Sequence, residues 1–222
     1  MESCELLFVF NSLNAWQTNK HKEAFISDAL SEVRQFEITL PDIDSSATAI
    51  HFYIGLDKYP FLNGDESHAT RLYMHAICDS YDQVDVVKSQ WMNMPNLISS
   101  GLASNVEPII DTSLPSHDTP NEITPTEAEH RVQLWSHISE WAQYSCMFDV
   151  FKVPIEDFDI TDTSCSYTGF FAMKDTLQGN LEPDLVIQKT SDSGEVAYMD
   201  SVRSAPPYRN LEEKNSFGLL NF

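Results

Sequence analysis

Three carboxylates follow a short apolar run in the second half of the chain. The run and its acids read FDVFKVPIEDFD over residues 148–159, so Glu156, Asp157 and Asp159 come directly after it. Two carboxylates at the end of a buried strand can hold Mg²⁺ or Mn²⁺ and leave coordination positions for water and substrate phosphates. Such an ion would neutralise a diphosphate leaving group as its bond breaks. The alternative is a solvated acidic loop.

The common strong motifs of catalysis and nucleotide binding are absent. The chain contains no GxxxxGK[ST], GxGxxG, HExxH or GxSxG. Asp157, Asp159 and Asp162 do not have the spacing of an EF-hand loop, which also requires a glycine at its sharp turn. His68 and His75 are seven residues apart and read as partly exposed histidines of one helix. The acids after the apolar run are therefore the main candidates for chemistry.

The charge of the chain limits its partners. Its 222 residues contain 34 acids and 13 bases, for a formal net charge of −21. Direct binding to nucleic acid or to an anionic membrane is excluded, because both need clusters of lysine and arginine. Residues 111–165 alone contain eleven acids and two bases. This stretch would attract cations, dock on a basic protein surface, or keep the protein in solution.

The cysteines and the N-terminal residues predict a cytoplasmic protein. The four cysteines are widely spaced and include no CxxC pair, which favours reduced thiols over a zinc knuckle or a disulfide framework. The opening MESCELLFVF has acids where a signal peptide needs bases, and its apolar run is too short to span a bilayer. We expect no membrane partner.

The apolar pattern predicts one α/β domain with a central, mostly parallel mixed sheet flanked by helices, as in Rossmann-like folds. Near-continuous apolar strands suit such a sheet, which is buried on both faces. The pattern also predicts a Pro/Ser/Thr-rich irregular insert at residues 93–126 and a β-rich tail at 170–222. The predicted strands are Leu6–Phe10, Ala49–Leu56 and Phe148–Val153, and the predicted helices cover roughly residues 20–35, 66–92 and 127–144.

Residues 5–165 resemble a GT-A type glycosyltransferase. The resemblance lies in the order of five pieces: LLFVFNS, YIGLDKYPF, QLWSHISEWAQY, MFDVFKV and EDFD. It implies a metal-dependent transferase that uses a nucleotide-sugar donor, or a relative without catalysis. The implied nucleotide pocket is lined by Asn11, Ser12 and Asp57, with Asp57 accepting a ribose or base hydrogen bond. The implied ligands of Mn²⁺ or Mg²⁺ are Glu156, Asp157 and Asp159.

Two features depart from that family and favour other classes of protein. No lysine or arginine closely follows Leu6–Phe10 to meet a phosphate, and only about sixty residues follow the acids. A non-enzymatic acidic protein is the alternative, such as a viral or assembly factor. It would dock on a basic partner or occupy a DNA-binding protein by mimicking nucleic acid. A structural subunit with an aromatic surface and an extended tail is the third hypothesis.

Overall fold

The chain forms ten strands and five α-helices over the residues that the computed structural model describes. The described residues are 3–22, 29–58, 70–90, 94, 96–103, 106–115, 121–143, 145, 147–176, 179–200, 202–206, 208 and 210–221. The strands are β1 Gln35–Ile38, β2 Ala49–Lys58, β3 Thr70–Cys78, β4 Ile98–Gly101, β5 Glu122–Ile123, β6 Val150–Pro154, β7 Ser166–Asp175, β8 Leu181–Thr190, β9 Val196–Met199 and β10 Arg203–Ala205. The helices are α1 Ser3–Asn19, α2 Val84–Gln90, α3 Pro125–Leu134, α4 Ile138–Ala142 and α5 Leu211–Asn215, and three 3₁₀ turns cover Trp135–His137, Ile155–Asp157 and Gly218–Leu220.

The strands build two five-stranded sheets in which every described pairing is antiparallel. Sheet A has the strand order β10-β6-β2-β3-β4, and sheet B has the order β1-β7-β8-β9-β5. Strands from distant parts of the chain meet in both sheets. Phe52 of β2 lies opposite Phe151 of β6, and Phe36 of β1 lies opposite Gly169 of β7.

The two sheets pack face to face, and one helix covers each outer face. Alternate residues of β2 show this: Phe52 lies in the core between the sheets, whereas Tyr53 packs under α1 with Leu13. On the far side, α3 packs Val132 against Phe170 and other apolar residues of sheet B. The layer order is α1, sheet A, sheet B, α3.

Two tryptophans tie loops to this layered core. Trp16 of α1 donates its Nε1–H to the carbonyl of Phe148 at 3.0 Å, just before β6. Trp135 donates to the carbonyls of Leu30 and Val33 at 3.1 and 3.0 Å. Both indoles are buried, and a buried indole N–H needs an acceptor. These bonds fix the ends of α1 and α3 against the residues that lead into β6 and β1.

The start of α3 is well specified by its sequence. Thr124 is the N-cap, and its Oγ1 accepts a hydrogen bond from the backbone N–H of Glu127 at 3.1 Å. Pro125 holds the first helical position, where a missing N–H costs no hydrogen bond. The predicted helix at 127–144 is confirmed, because the described residues from 127 to 142 are helical or 3₁₀, although the helix begins two residues earlier at Pro125.

The predicted fold class is wrong. The protein has two antiparallel sheets in place of the expected mostly parallel sheet. The prediction failed because strands buried on both faces also arise when two sheets are packed between helices. The run Leu6–Phe10 lies inside helix α1 and is not a strand. The predicted helix at 66–92 is also wrong over Thr70–Cys78, which forms β3. Of the described residues in that range, those of α2 are helical.

Other predicted elements agree with the structure or lie partly outside the described residues. The strands predicted at Ala49–Leu56 and Phe148–Val153 are confirmed by β2 and β6. Residues 23–28 of the predicted helix 20–35 are outside the described residues, and residues 29–31 are helical. Within 93–126 the structure places the short strands β4 and β5, and within 170–222 it places β8, β9, β10 and α5. No helix in the described residues combines the length and apolarity that crossing a bilayer requires.

Gly55 permits close packing between α1 and sheet A. A Cβ at Gly55 would lie 2.6 Å from Ser12 Oγ and would also overlap the ring of His75. We expect Gly55→Ala to lower the free energy of unfolding by about 1–3 kcal/mol through overpacking. Urea denaturation followed by circular dichroism measures this change.

Gly101→Ala is the matched control for Gly55→Ala. A Cβ at Gly101 would meet only Tyr73 Cε1, at an ordinary 3.7 Å. Equal unfolding free energies for the two variants would contradict the close contact at Gly55.

Candidate functional site

An acid-lined pocket lies where the turn after β6 meets the outer strands of sheet B. Its volume is about 450 Å³. Five carboxylates and one ammonium group line it, together with Phe158, Ser191, Ala197 and Met199. The charged residues are Glu122, Glu156, Asp157, Asp159, Lys189 and Glu195. We call this the acid pocket.

The turn after β6 is fixed to the core by apolar and hydrogen-bond contacts. The backbone N–H of Phe158 donates to the carbonyl of Ile155 at 3.0 Å, which closes the 3₁₀ turn. Phe158 is buried against the ring of Tyr167, with ring centroids 5.2 Å apart. The backbone N–H of Asp159 then donates to the Tyr167 hydroxyl at 2.7 Å. The carboxylates of this turn therefore project from a rigid support.

The opposite wall comes from the β8–β9 hairpin and from β5. Gly194 has φ of 81°, a left-handed conformation that suits glycine, and its N–H donates to the carbonyl of Ser191 at 2.9 Å. This tight turn places Glu195 at the pocket. Glu122 reaches the same place because β5 pairs with β9, where it lies opposite Met199.

Asp159 is the most strongly held carboxylate of the acid pocket. Its Oδ1 accepts hydrogen bonds from Thr161 Oγ1 at 2.8 Å and from the Asp162 N–H at 3.2 Å, and its Oδ2 lies 3.1 Å from Lys189 Nζ. The Thr161 hydroxyl first, and the Lys189 ammonium next, lower the pKa of Asp159 to about 2. Asp159 is therefore anionic across the physiological pH range.

The other carboxylates differ in their exposure to solvent. Glu156 is exposed, whereas Asp157 is only 1% exposed and forms part of the wall. Glu122 has one oxygen, Oε2, that is shielded from solvent and accepts no hydrogen bond from the residues that the structure describes. A shielded carboxylate oxygen without a donor is energetically unfavourable. A cation or a hydrogen-bond donor in the acid pocket would satisfy this oxygen of Glu122.

One group near the pocket has the spacing of metal ligands. Asp159, Asp162 and Cys165 each offer an atom within 4.8 Å of the others. The loop already uses these carboxylates, since Asp162 Oδ1 accepts from the Ser164 N–H at 3.0 Å and its Oδ2 from Cys165 Sγ at 3.5 Å. Desolvation first, and the Asp162 carboxylate next, raise the pKa of the Cys165 thiol. A bound metal would have to displace these contacts and deprotonate the thiol.

The structure separates the predicted nucleotide residues from the predicted metal ligands. Glu156, Asp157 and Asp159 line the acid pocket together, but Asn11, Ser12 and Asp57 are not among its lining residues. Asn11 is exposed on α1, Ser12 is buried on the same helix, and Asp57 lies near the end of β2, opposite Arg71.

Ser12 belongs to a buried polar contact between α1 and sheet A. Its Oγ lies 2.8 Å from the Val9 carbonyl, to which it donates, and 2.7 Å from His75 Nε2, while His75 Nδ1 lies 2.8 Å from Ser99 Oγ. Burial lowers the pKa of His75 to about 3, so the imidazole is neutral. This serine–histidine contact is enclosed, and it fixes α1 on the sheet.

A second buried polar contact joins sheet A to the last residues of the chain. Asp82 Oδ2 lies 2.6 Å from His51 Nδ1 and accepts a hydrogen bond from the Tyr53 hydroxyl, while its Oδ1 accepts from the Leu219 N–H at 2.9 Å. All three side chains are fully buried. Their enclosure gives a substrate no access, so this aspartate–histidine pair anchors the chain.

Sequence reasoning missed Glu122, Lys189 and Glu195 as residues of the acid pocket. Glu122 lies in the acid-rich stretch 111–165, which was the signal available for it. Lys189 and Glu195 carry no local signal, because they reach the pocket through the β8–β9 hairpin and the β5–β9 pairing. Comparisons with protein-family models, with curated proteins and with solved structures each found no match to the chain.

The hydrogen bond from Thr161 sets the acidity of Asp159. Removing this hydroxyl in Thr161→Val should raise the pKa of Asp159 from about 2 toward the ordinary 3.8. Because the folded-state pKa lies below the unfolded value, the stabilisation is complete above about pH 4 and is lost as the pH falls through about 2. Carbon NMR titration of the Asp159 carboxyl measures the midpoint.

Thr163→Val is the control for this titration. Thr163 is an exposed threonine of the same loop, and it is not among the groups that lower the pKa of Asp159. Midpoints that are equal in Thr161→Val and in the unsubstituted protein would contradict the assigned hydrogen bond.

Proposed function

We propose that this protein binds a basic segment of a partner protein, with a lysine or arginine side chain of that partner entering the acid pocket. The observation that carries this proposal is the convergence of five carboxylates on one pocket of about 450 Å³ with a single lysine among them. This proposal is the hypothesis of a non-enzymatic acidic interaction protein, with the acid pocket as its binding site.

The charge balance of the acid pocket favours a cationic ligand. Five carboxylates against one ammonium leave a formal charge of −4 at the pocket, in a chain whose net charge is −21. A field of this sign draws basic segments toward the surface and raises their rate of association.

The geometry of the pocket supports an ammonium or a guanidinium group as the occupant. Lys189 already places an ammonium 3.1 Å from Asp159 Oδ2, so this pocket accommodates that group. The shielded Oε2 of Glu122 lacks a donor among the described residues. A lysine ammonium brings three N–H donors and an arginine guanidinium brings five, and charge-assisted bonds of this kind are strong.

A divalent cation is the second candidate occupant, and it is what remains of the glycosyltransferase hypothesis. Glu156, Asp157 and Asp159 line one pocket, as a Mg²⁺ or Mn²⁺ site requires. However, the described group with mutual spacing below 4.8 Å is Asp159, Asp162 and Cys165. A metal would therefore need the three predicted carboxylates to move closer together, whereas a basic side chain would not. Transfer from a nucleotide-sugar has no support from the two antiparallel sheets.

The affinity for an oligo-lysine peptide tests the proposed function. Fluorescence anisotropy of a labelled octalysine peptide should show saturable binding that weakens as salt is added, because exposed charges are screened. Glu122→Gln removes one charge with little change in size, and it should lower the affinity about tenfold, the effect of one charge-assisted hydrogen bond. A glycine–serine peptide of equal length should not bind.

Glu212→Gln is the matched control for Glu122→Gln. Glu212 is exposed on α5 and does not line the acid pocket, yet its substitution changes the net charge equally. Equal losses of affinity in the two variants would show that peptide binding depends only on the overall charge. This result would refute binding in the acid pocket. Saturable Mn²⁺ binding that Glu156→Gln abolishes, without peptide binding, would favour the second candidate.

A further inference from the structure

A second and larger cavity lies at the opposite end of the β7 and β8 strands, with a volume of about 1140 Å³. It forms between α4 with its flanking turns, the β7–β8 hairpin and β10, so both sheets contribute to it. It shares no lining residue with the acid pocket. Cavities at the junction of packed layers are common places for small ligands.

The inner surface of this cavity is mainly apolar. Trp141 of α4 is half-buried there, and Leu181 and Pro183 of β8 lie on the facing side. Leu134 and Pro206 extend the apolar surface at either end. An indole ring beside aliphatic side chains offers van der Waals contact to a flat aromatic ring or an alkyl chain. The cavity therefore suits a ligand with an apolar body.

Lys174 places a cationic group beside this apolar surface. Its Nζ donates to Asp184 Oδ1 at 3.2 Å and to the carbonyl of Val202 at 3.0 Å, while Asp200 Oδ1 is 3.9 Å away, beyond hydrogen-bond distance. An ammonium has three N–H donors, so one remains for a ligand once the two bonds to described residues are counted. The side chain is 30% exposed, and it lines the cavity.

The remaining charged groups lie mostly at the mouth of the cavity. Glu140, Asp175 and Glu182 are exposed, and so is His137. Arg203 is half-buried and pairs with Glu213 of α5. Exposed charges at the mouth are screened by solvent and salt, whereas the half-buried cations act in a lower dielectric. Both half-buried cations are already paired with carboxylates, Lys174 with Asp184 and Arg203 with Glu213, so a preference for an anion inside the cavity depends on the third N–H donor of Lys174.

We propose that this cavity binds a small amphipathic organic anion, with its alkyl or aryl body against Trp141 and Leu181 and its carboxylate at Lys174. The acid pocket and its basic partner play no part in this binding. The ligand class follows from the apolar surface, the free N–H of Lys174 and the placement of the carboxylates at the mouth.

Displacement of a fluorescent probe tests this proposal. The probe is 1-anilinonaphthalene-8-sulfonate, whose fluorescence rises when its aryl rings enter an apolar site. We expect decanoate to displace it at lower concentration than decanol, and decylammonium to be the weakest competitor. Stronger competition by decylammonium, or equal competition by decanol, would overturn the proposed anion preference. The absence of any probe binding would overturn the ligand site.

The variant Asn180→Asp tests whether the ligands bind in this cavity, and it should leave the fold unchanged. Asn180 is an exposed lining residue, and the substitution adds one negative charge at nearly constant size. At low salt, where an exposed charge is screened least, it should weaken decanoate binding about two- to threefold by repulsion and leave decanol unchanged. Lys174→Met is less suitable, because it removes a partner of the buried Asp184.

Gln133→Glu is the control for Asn180→Asp. Gln133 is exposed on α3 and does not line the cavity, so the same added charge lies elsewhere on the surface. Equal weakening in the two variants would place the probe outside the cavity and refute the proposed site.

Discussion

Both sheets of this protein are buried on both faces, and most of the structure follows from that constraint. A central strand such as β2 or β7 must present apolar side chains at odd and at even positions, because the partner sheet lies on one side and a helix on the other. A polar side chain in such a strand must find a partner within the layers. Asp184 does so with Arg131 and Lys174, and His75 does so with two serines.

The same constraint explains which parts of the fold could be predicted. The apolar runs of β2 and β6 locate strands correctly, because a strand between two layers is apolar throughout. They do not specify strand direction, since parallel sheets between helices impose the same pattern. The run Leu6–Phe10 is ambiguous for a related reason. Among the described side chains of α1, the buried apolar ones are Val9, Leu13 and Trp16, at helical spacing, but a five-residue apolar run does not distinguish a helix from a strand.

The sequence predicted only those residues of the candidate site that are close to one another in the chain. Glu156, Asp157 and Asp159 are adjacent in sequence and share one pocket in the structure. Asn11, Ser12 and Asp57 were implied by the resemblance to a GT-A type glycosyltransferase, a fold in which parallel strands collect ligands at one edge of a sheet. Antiparallel strands do not end at a common edge in that way. Glu122 joins the site through β5, which has two residues and therefore carries almost no pattern of its own.

The buried bond between Asp82 and the Leu219 N–H has a consequence for biosynthesis. The two residues are 137 positions apart, so a ribosome must add all of the intervening chain before Asp82 gains this donor. The ion pair between Lys20 and Asp149 spans 129 positions in the same way. A nascent chain that has emerged only as far as α2 therefore contains Asp82 and Lys20 without these partners, and it exposes the apolar faces of β2. Both contacts can therefore form only late in translation, after most of the chain has been synthesised.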